Sequence, residues 1–535
     1  MVKISRTPCN MQTLTIILRF RLMVLWAVGL LFLILIIYAI SAAPQEQSVF
    51  GAAGTWNDAR LARVAAWLRG YPLYTPVSSG IVNGNIYPPL GALAFTPAAI
   101  FDHPVAAIIV GSILSLLMNL SPAVALTLWS HRLQTSTKAA ETILLGTVLY
   151  LGLLILTDGT RYTLFAIHVD APAIALMLWG VIFYAKWWTT REPSSIGLST
   201  FFLGSGVWAK QVEFPLPFVF LIVTYLIGGL RPTLVFSAWS LATLVFWFLM
   251  LTPIVVDWRV LFFNIWTIPA SHSWVWGGQV VSGGIEHIKL FMHASVAFLE
   301  QYWLLYLLML AMVLALNVCA KRSGDKSLHF SFALSACSLI ASIPMLPFAL
   351  LGFVKVGGSL NNTSHSLQPV FFGLVMASLG FVEIAKKVGG QWNVVAQSVL
   401  CVGLVLIAAL SGRQVLHWRF DIFSAPMLTA YKESKSDNVW FPEFPLSSLL
   451  ATGHFYHFSY AVFDRYLAGR PVSRAQILEG IPTPPFKLKY LEGANSRTNA
   501  FLIPQYLGLS DDTISHGKKT GPWVEIIVQD LPLLK

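Results

Sequence analysis

The chain has 535 residues, of which 56% are hydrophobic and only 11% are charged, with a mean hydropathy of +0.68. Soluble proteins carry about 25% charged residues, so this composition excludes a soluble globular protein and indicates a polytopic membrane protein. The net charge of +11 is spread over short loops between apolar segments, which argues against nucleic acid as a partner.

The first apolar run extends from about Leu22 to Ala43. It ends in a sequence that resembles a signal-peptidase site, but it is long enough to cross a bilayer, so we interpret it as an uncleaved anchor. Further apolar segments are centred near residues 116, 148, 176, 201, 220, 243, 310, 343, 376 and 402. The predicted fold class is therefore an all-α polytopic membrane protein with about eleven transmembrane helices. The two segments flanking Lys210 are short and could form one broken helix.

Basic residues in alternate loops place the N-terminus in the cytoplasm. We therefore expect a multi-pass protein of the cell membrane, or of the endoplasmic reticulum membrane in a eukaryotic cell. Loop 44–97 and the chain after residue 411 would then be extracytoplasmic. The four cysteines lie in or beside apolar segments without CxxC or Cys/His spacing, so neither a disulfide framework nor a zinc site is predicted.

Loop 44–97 begins with a short amphipathic helix that Thr55 can cap and Gly70 can end. Its basic face, with Arg60 and Arg63, is predicted to lie against anionic head groups. Asp58 lies in the first turn, where the helix dipole favours the ionised carboxylate. This acid could serve catalysis or could merely stabilise its own helix.

Polar groups near membrane depth are costly, so they are candidates for function. On the predicted topology they gather with Asp58 on the outer side. They occur in three segments: Arg161, His168 and Asp170; then Lys210, Gln211 and Glu213; then Lys355, Asn361, Asn362 and His365.

Structural interpretations of these residues stay open beside the functional one. Asp170 could be a buried partner of Arg161 or Lys210, and Lys210 could be a lysine that snorkels to the interface. Glu213 is more readily explained as an ion-pair partner of Lys210, and His365 as a structural residue.

After Ser411 the sequence becomes proline-rich and polar, and it predicts a small extracytoplasmic α/β domain over residues 412–535. The outer connection from about Val255 to Gln301 is rich in tryptophan. Tryptophan at this density suits an interfacial belt, and it could equally line a groove for a lipid or sugar.

Several segments resemble the type C (GT-C) glycosyltransferases, and among them the polyprenyl-phosphate-mannose-dependent mannosyltransferases and the aminoarabinose and protein O-mannosyl transferases. The resemblance is clear over about the first 220 residues. It rests on Trp56-Asn57-Asp58-Ala59-Arg60, Arg69-Gly70-Tyr71-Pro72-Leu73-Tyr74, Tyr87-Pro88-Pro89-Leu90, His168-Val169-Asp170-Ala171 and Ala209-Lys210-Gln211. Many members carry paired Asp-Glu in the first loop, where this chain has Asn57-Asp58.

The resemblance implies an integral membrane glycosyltransferase of envelope glycan biosynthesis. It would move a sugar from a polyprenyl phosphate to a lipid, glycan or protein acceptor. Asp58 would be the general base, and Lys210, Arg161 and Lys355 would hold the donor phosphate. The predicted substrate-binding residues are Asp170, His168, Gln211, Tyr87, Asn361 and His365.

The chemistry of a sugar phosphate fits this implication. The leaving phosphate is stable as an anion, so one carboxylate can suffice as base, in contrast to a glycosidase. Cationic side chains can then replace a divalent metal. A single inverting displacement without metal or cofactor is expected.

The alternative is a transporter or flippase for a lipid-linked glycan. Such a protein should show two repeated halves with matched broken helices. The sequence indicates one break, at Lys210, and no counterpart in its second half, which favours the enzyme. A scaffold within an envelope-assembly complex is a third possibility, and it would leave Asp58 dispensable.

Overall fold

The computed structural model describes residues 11–43, 56–132, 139–276, 279–281, 283–355, 360–416, 426–491, 507, 518–520 and 523–528. Helices α1 to α9 are α1 (Met11–Ala42), α2 (Trp56–Leu68), α3 (Pro89–Leu93), α4 (Thr96–Ala99), α5 (Pro104–Arg132), α6 (Ala139–Leu156), α7 (Asp158–Phe165), α8 (Asp170–Thr190) and α9 (Pro193–Ala209). Helices α10 to α17 are α10 (Pro215–Gly228), α11 (Leu230–Val255), α12 (Trp258–Phe262), α13 (Ile268–Ser271), α14 (Gly284–Ser323), α15 (Lys326–Phe353), α16 (Ser364–Val388) and α17 (Gly390–Leu416).

Within these described ranges, nine helices are long and apolar enough to cross a membrane. The count is ten if α6 and α7, which meet at a bend of 113°, form one crossing. A helix occupies each of the eleven predicted places, although α9, with 17 residues, is too short to qualify alone. The predicted polytopic all-α fold is confirmed. Because α14 begins at Gly284, the tryptophan-rich connection is shorter than expected.

The break between α9 and α10 follows from local sequence. Lys210 has an extended backbone, and a 3-10 turn over Gln211–Glu213 follows it. Pro215 starts α10 and lacks the backbone N–H that a continuous helix would need there. The chain therefore presents Lys210 from the gap between two helices.

The described C-terminal residues form an α/β unit, as predicted. It contains α18 (Pro426–Ser436), α19 (Pro445–Thr452), α20 (Ser459–Leu467), α21 (Arg474–Glu479) and the strands β3 (Val439–Trp440), β4 (Phe486–Leu491), β5 (Lys518–Thr520) and β6 (Trp523–Val528). The sheet order is β3-β4-β6-β5, with only the β3–β4 pair parallel. The strands β1 (Trp274–Trp276) and β2 (Gln279–Val281) form a separate hairpin.

Helix α2 is covered by protein, so the expected interfacial location of its arginines is wrong. Arg63 is buried and donates a hydrogen bond to the carbonyl oxygen of Asn83. Residues of α18 and α19 pack on the apolar side of α2 in one core. An amphipathic pattern shows that one face is buried without showing whether lipid or protein faces the other side.

Gly91 brings α3 against both segments that carry the central polar residues. A Cβ atom at this position would meet the carbonyl oxygen of Ala209 and would lie 2.8 Å from Val169. Val169 precedes Asp170, and Ala209 precedes Lys210. The absence of a side chain at residue 91 therefore sets the spacing of these segments.

We expect Gly91→Ala to lower the stability of the protein by about 1–3 kcal/mol, because the added methyl overpacks this contact. Thermal unfolding of the purified protein in detergent measures the change. Gly403→Ala in α17 is the matched control, since a Cβ there meets no atom within 4 Å. Equal melting temperatures for both variants would contradict the close packing.

Candidate active site

The carboxylate of Asp170 is the centre of a buried polar cluster. Its Oδ1 lies 2.5 Å from the Nζ of Lys210 and 3.0 Å from the Nε2 of His365. Its Oδ2 lies 2.5 Å from the Nδ2 of Asn361 and 2.7 Å from the Nδ1 of His168. Asp170 is 0% exposed, and a buried carboxylate is tolerated only when it is paired and hydrogen-bonded in this way. The cluster therefore joins three separate chain segments.

Lys210 is 2% exposed, so its charged group does not snorkel to an interface. Its ammonium donates to the Oδ1 of Asn362 at 3.1 Å in addition to Asp170. The same nitrogen lies 5.8 Å from the ring centre of Tyr87, within the range of a cation–π contact. Tyr87 therefore lies beside the cluster, and its role in substrate binding stays a prediction.

Glu213 pairs with His365 and not with Lys210, so the interpretation of Glu213 as the partner of Lys210 is wrong. Its Oε1 contacts the Nδ1 of His365, on the opposite side of the imidazole from Asp170. The 3-10 turn after Lys210 directs Glu213 to this side. Its Oε2 is buried and has no hydrogen-bond partner among the described residues.

His168 reaches the cluster from the segment between α7 and α8. Asn57 accepts a hydrogen bond from the backbone N–H of Ile167, and Arg60 donates to the carbonyl oxygen of Ile167. Burial lowers the pKa of His168 to about 3, and the nearby charge of Arg60 acts in the same direction against the opposing effect of Asp170. His168 is therefore a neutral imidazole at physiological pH.

Gln211 follows Lys210 and ties two neighbouring loops together. Its Nε2 donates to the carbonyl oxygens of Ile86 and Ile265. Its Oε1 is buried and unpaired among the described atoms. Gln211 thus lies at the margin of the cluster, and its role in substrate binding stays a prediction.

Two of the three predicted phosphate ligands have other partners. Arg161 pairs with Asp158, three residues earlier, at 2.5 Å, and it donates to the carbonyl oxygen of Ile155. Lys355 donates to the carbonyl oxygens of Pro269 and Ala270. These contacts hold Arg161 against the end of α6 and Lys355 against α13, whereas Lys210 lies inside the cluster.

Asp58 caps helix α19 of the C-terminal unit. Its carboxylate accepts hydrogen bonds from the backbone N–H groups of Leu446, at 2.7 Å, and Ser447, at 3.1 Å. The hydroxyl of Ser447 donates a third bond at 2.6 Å. Burial raises the pKa of Asp58 to about 7, although these hydrogen bonds oppose the shift. The expectation of a readily ionised acid was wrong, because desolvation outweighs the helix end.

The sequence did not indicate the role of Arg60. Its guanidinium donates to the hydroxyl of Tyr162 at 2.5 Å and lies over the rings of Trp56 and Tyr162. The sequence pattern predicts instead that the charge of Arg60 faces lipid head groups. Its sequence position beside Asp58, within a segment that resembles a family motif, was the available signal.

Within the part of the chain that the structure describes, no group of three or more His, Cys, Asp or Glu side chains is arranged to hold a metal ion.

Comparison with solved structures gives fifteen matching chains, three of which are described here. ArnT from Cupriavidus metallidurans bound to undecaprenyl phosphate has a TM-score of 0.50 at 12% identity, covering 95% of this chain and 99% of that one. Its apo form has a TM-score of 0.48 at 10% identity, covering 93% and 97%. The oligosaccharyltransferase AglB from Archaeoglobus fulgidus, in complex with an inhibitory peptide and a dolichol-phosphate, has a TM-score of 0.42 at 9% identity, covering 96% and 75%.

Neither a protein-family model nor a curated protein matches the sequence. The match to ArnT over nearly both whole chains shows the fold. This chain is a multi-pass membrane protein with the fold of the GT-C glycosyltransferases, as the sequence resemblance predicts.

The raised pKa of Asp58 predicts how stability depends on pH. Between the ordinary value of 3.8 and about 7, the native state binds more protons than the unfolded state. The stability from this group therefore falls as pH rises through that window, by at most a few kcal/mol. We expect the melting temperature of wild type, relative to Asp58→Asn, to fall between about pH 4 and about pH 7 and to level off above that range.

Asp102→Asn is the control for this series, because the Asp102 side chain is 91% exposed. A difference between wild type and Asp58→Asn that stays constant with pH would contradict the shifted pKa.

Proposed function

We propose that this protein is a glycosyltransferase that moves a sugar from a polyprenyl phosphate to a lipid, glycan or protein acceptor. The reaction would take place on the extracytoplasmic face, with the N-terminus in the cytoplasm. The observation that carries the proposal is the buried Lys210, held at a helix break by Asp170 and His365 within a GT-C fold.

A lysine in this position suits a phosphate leaving group. The cluster lies where α8, α10 and α16 begin, so the N-terminal ends of these helices add partial positive charge. Asn361 and Asn362 supply amide groups next to Lys210. Together these groups could stabilise the phosphate that departs with its lipid. The solved ArnT structure contains undecaprenyl phosphate, which is consistent with this class of donor.

The proposed reaction is a single displacement with inversion. The acceptor oxygen forms a bond to the anomeric carbon while the bond between that carbon and the phosphate oxygen breaks. The general base takes the acceptor proton, and the polyprenyl phosphate leaves as an anion. Lys210 supplies the positive charge, so the proposal requires neither metal nor cofactor.

Asp58 is the proposed base. A carboxyl with a pKa of about 7 is matched to proton transfer near neutral pH. The hydroxyl of Ser447 already donates to its Oδ2, so an acceptor hydroxyl would take the place of this donor. The cap on α19 offers a purely structural role for the same carboxylate, and the two roles predict different mutant behaviour.

We expect Asp58→Asn to abolish transfer from labelled polyprenyl-phosphate sugars while the protein stays folded. Asparagine can still cap α19, because its amide oxygen accepts hydrogen bonds, but it cannot take a proton. Purified protein assayed with several donors provides the measurement, and its melting temperature reports folding.

Ser447→Ala is the companion variant. It removes one of the hydrogen bonds between Asp58 and α19 and leaves the carboxylate of Asp58 in place. Transfer retained by Asp58→Asn would exclude Asp58 as the base and leave it as a helix cap. If wild type transfers sugar from none of the donors, the alternative function, a transporter or flippase for a lipid-linked glycan, would be favoured.

Replacing Lys210 should weaken donor binding by at least about tenfold, because a charged hydrogen bond to phosphate is lost. Lys210→Gln alone leaves Asp170 uncompensated and destabilises the fold. We therefore expect the double variant Lys210→Gln with Asp170→Asn to fold. Its donor affinity should nevertheless stay below that of wild type. Equilibrium binding of a polyprenyl-phosphate sugar measures the affinity.

Lys289→Gln is the control for this experiment, because Lys289 is an exposed lysine paired with Glu286. Unchanged donor affinity in the folded double variant would exclude Lys210 as the phosphate ligand.

A further inference from the structure

We infer that the transferred sugar carries no ammonium group where it meets His168, and that His168 recognises one of its hydroxyl groups as a hydrogen-bond acceptor. The inference rests on the proposed function and specifies its substrate class. It depends on the two nitrogens of His168, on the charge of Arg60, and on the absence of an available carboxylate in the described cluster.

The two ring nitrogens of His168 have different surroundings. Nδ1 lies 2.7 Å from the Oδ2 of Asp170 and 3.3 Å from the backbone N–H of the same residue. A carboxylate can only accept, so the shorter contact assigns the proton to Nδ1. Nε2 is then an acceptor, and it has no hydrogen-bond partner among the described residues. The lowered pKa of His168 supports a neutral ring. A neutral ring held in this tautomer offers one lone pair to a donor such as a hydroxyl.

Aromatic rings border this imidazole. Tyr87 meets it edge to face, with ring centres 5.4 Å apart, and Tyr162 does so at 6.1 Å. Tyr87 also lies beside Lys210. A sugar ring whose phosphate is at Lys210 would therefore have Tyr87 and His168 as neighbours. Aromatic walls with one fixed polar acceptor are typical of a small-molecule site.

The group that donates a hydrogen bond to His168 could be a sugar hydroxyl or a sugar ammonium. The local charge favours the hydroxyl. The guanidinium of Arg60 acts on His168 electrostatically, and it would repel a cationic amino sugar at the same place. Like charges in a partly buried site cost more than in water. A hydroxyl carries no charge and meets no such repulsion.

An amino sugar would also find no free carboxylate in the Asp170 cluster. Both oxygens of Asp170 are engaged twice, by Lys210 and His365 on one side and by Asn361 and His168 on the other. Glu213 has an unpaired oxygen, but it lies beyond the imidazole of His365. The described cluster thus offers a hydroxyl an acceptor and offers an ammonium no free carboxylate.

The test compares two polyprenyl-phosphate donors with the purified full-length protein: one carrying mannose and one carrying 4-amino-4-deoxyarabinose. We expect kcat/KM for the neutral sugar to exceed that for the amino sugar by at least about 100-fold. Arg60→Gln should narrow this preference by about tenfold, since it removes the like charge.

Variants of His168 test the acceptor. His168→Phe should lower kcat/KM for the mannose donor by about tenfold or more, mainly through KM. His168→Gln should recover part of this loss, because its amide oxygen can accept near the position of Nε2. His454→Phe, an exposed histidine in the C-terminal unit, is the control that should leave activity unchanged.

The outcomes separate this inference from the function on which it rests. Absence of transfer from every donor overturns the glycosyltransferase proposal. Transfer of the amino sugar at equal or higher kcat/KM overturns the inference that the sugar carries no ammonium group, and it leaves the glycosyltransferase proposal intact. A folded His168→Phe variant with wild-type kinetics shows that His168 does not contact the sugar and overturns its assigned role.

Discussion

The arrangement of the described polar core depends on how one buried charge is satisfied. Asp170 has four hydrogen-bonding partners: His168 lies two residues before it, and the other three come from segments that are far apart in sequence. A carboxylate without such partners would be too costly to keep ionised in a protein interior. The ends of α8, α9 and α16 are therefore held together by the requirement to surround it. The break between α9 and α10, which local sequence causes, is what allows Lys210 to take part in this arrangement.

Helix α2 links this core to the C-terminal unit. On one side, Asn57 and Arg60 hold Ile167, which precedes His168. On the other side, Asp58 caps α19, and Trp56 packs against Phe458 and Tyr460 in the described C-terminal unit. The short helix thus has contacts with both parts of the molecule. A disturbance of its position would be felt at His168 and in the C-terminal unit together.

Much of the fold and part of the site could be predicted from the sequence. Apolar segments located the helices, and the cost of polar groups near membrane depth singled out Asp170, Lys210 and His365, which the structure brings into contact. The rest depended on information that local patterns lack.

The partners that the sequence did not reveal belong to three kinds. Asp58 meets Leu446, 388 residues later, and no local pattern indicates a contact at that separation. Arg161 has its partner Asp158 one helical turn away, a local pairing that competes with any distant ligand. Lys355 binds backbone carbonyls, which leave no signature in the sequence.

The short contact between Lys210 and Asp170 has a consequence for any anion that arrives. If Lys210 binds the donor phosphate as proposed, the carboxylate of Asp170 already occupies the ammonium group that the phosphate would need. Binding would then exchange the carboxylate of Asp170 for the phosphate of the donor at Lys210, which is different from adding an anion to an unpaired lysine. On the proposed function, such an arrangement would keep the lysine oriented between turnovers and would favour release of the lipid phosphate once its sugar is gone.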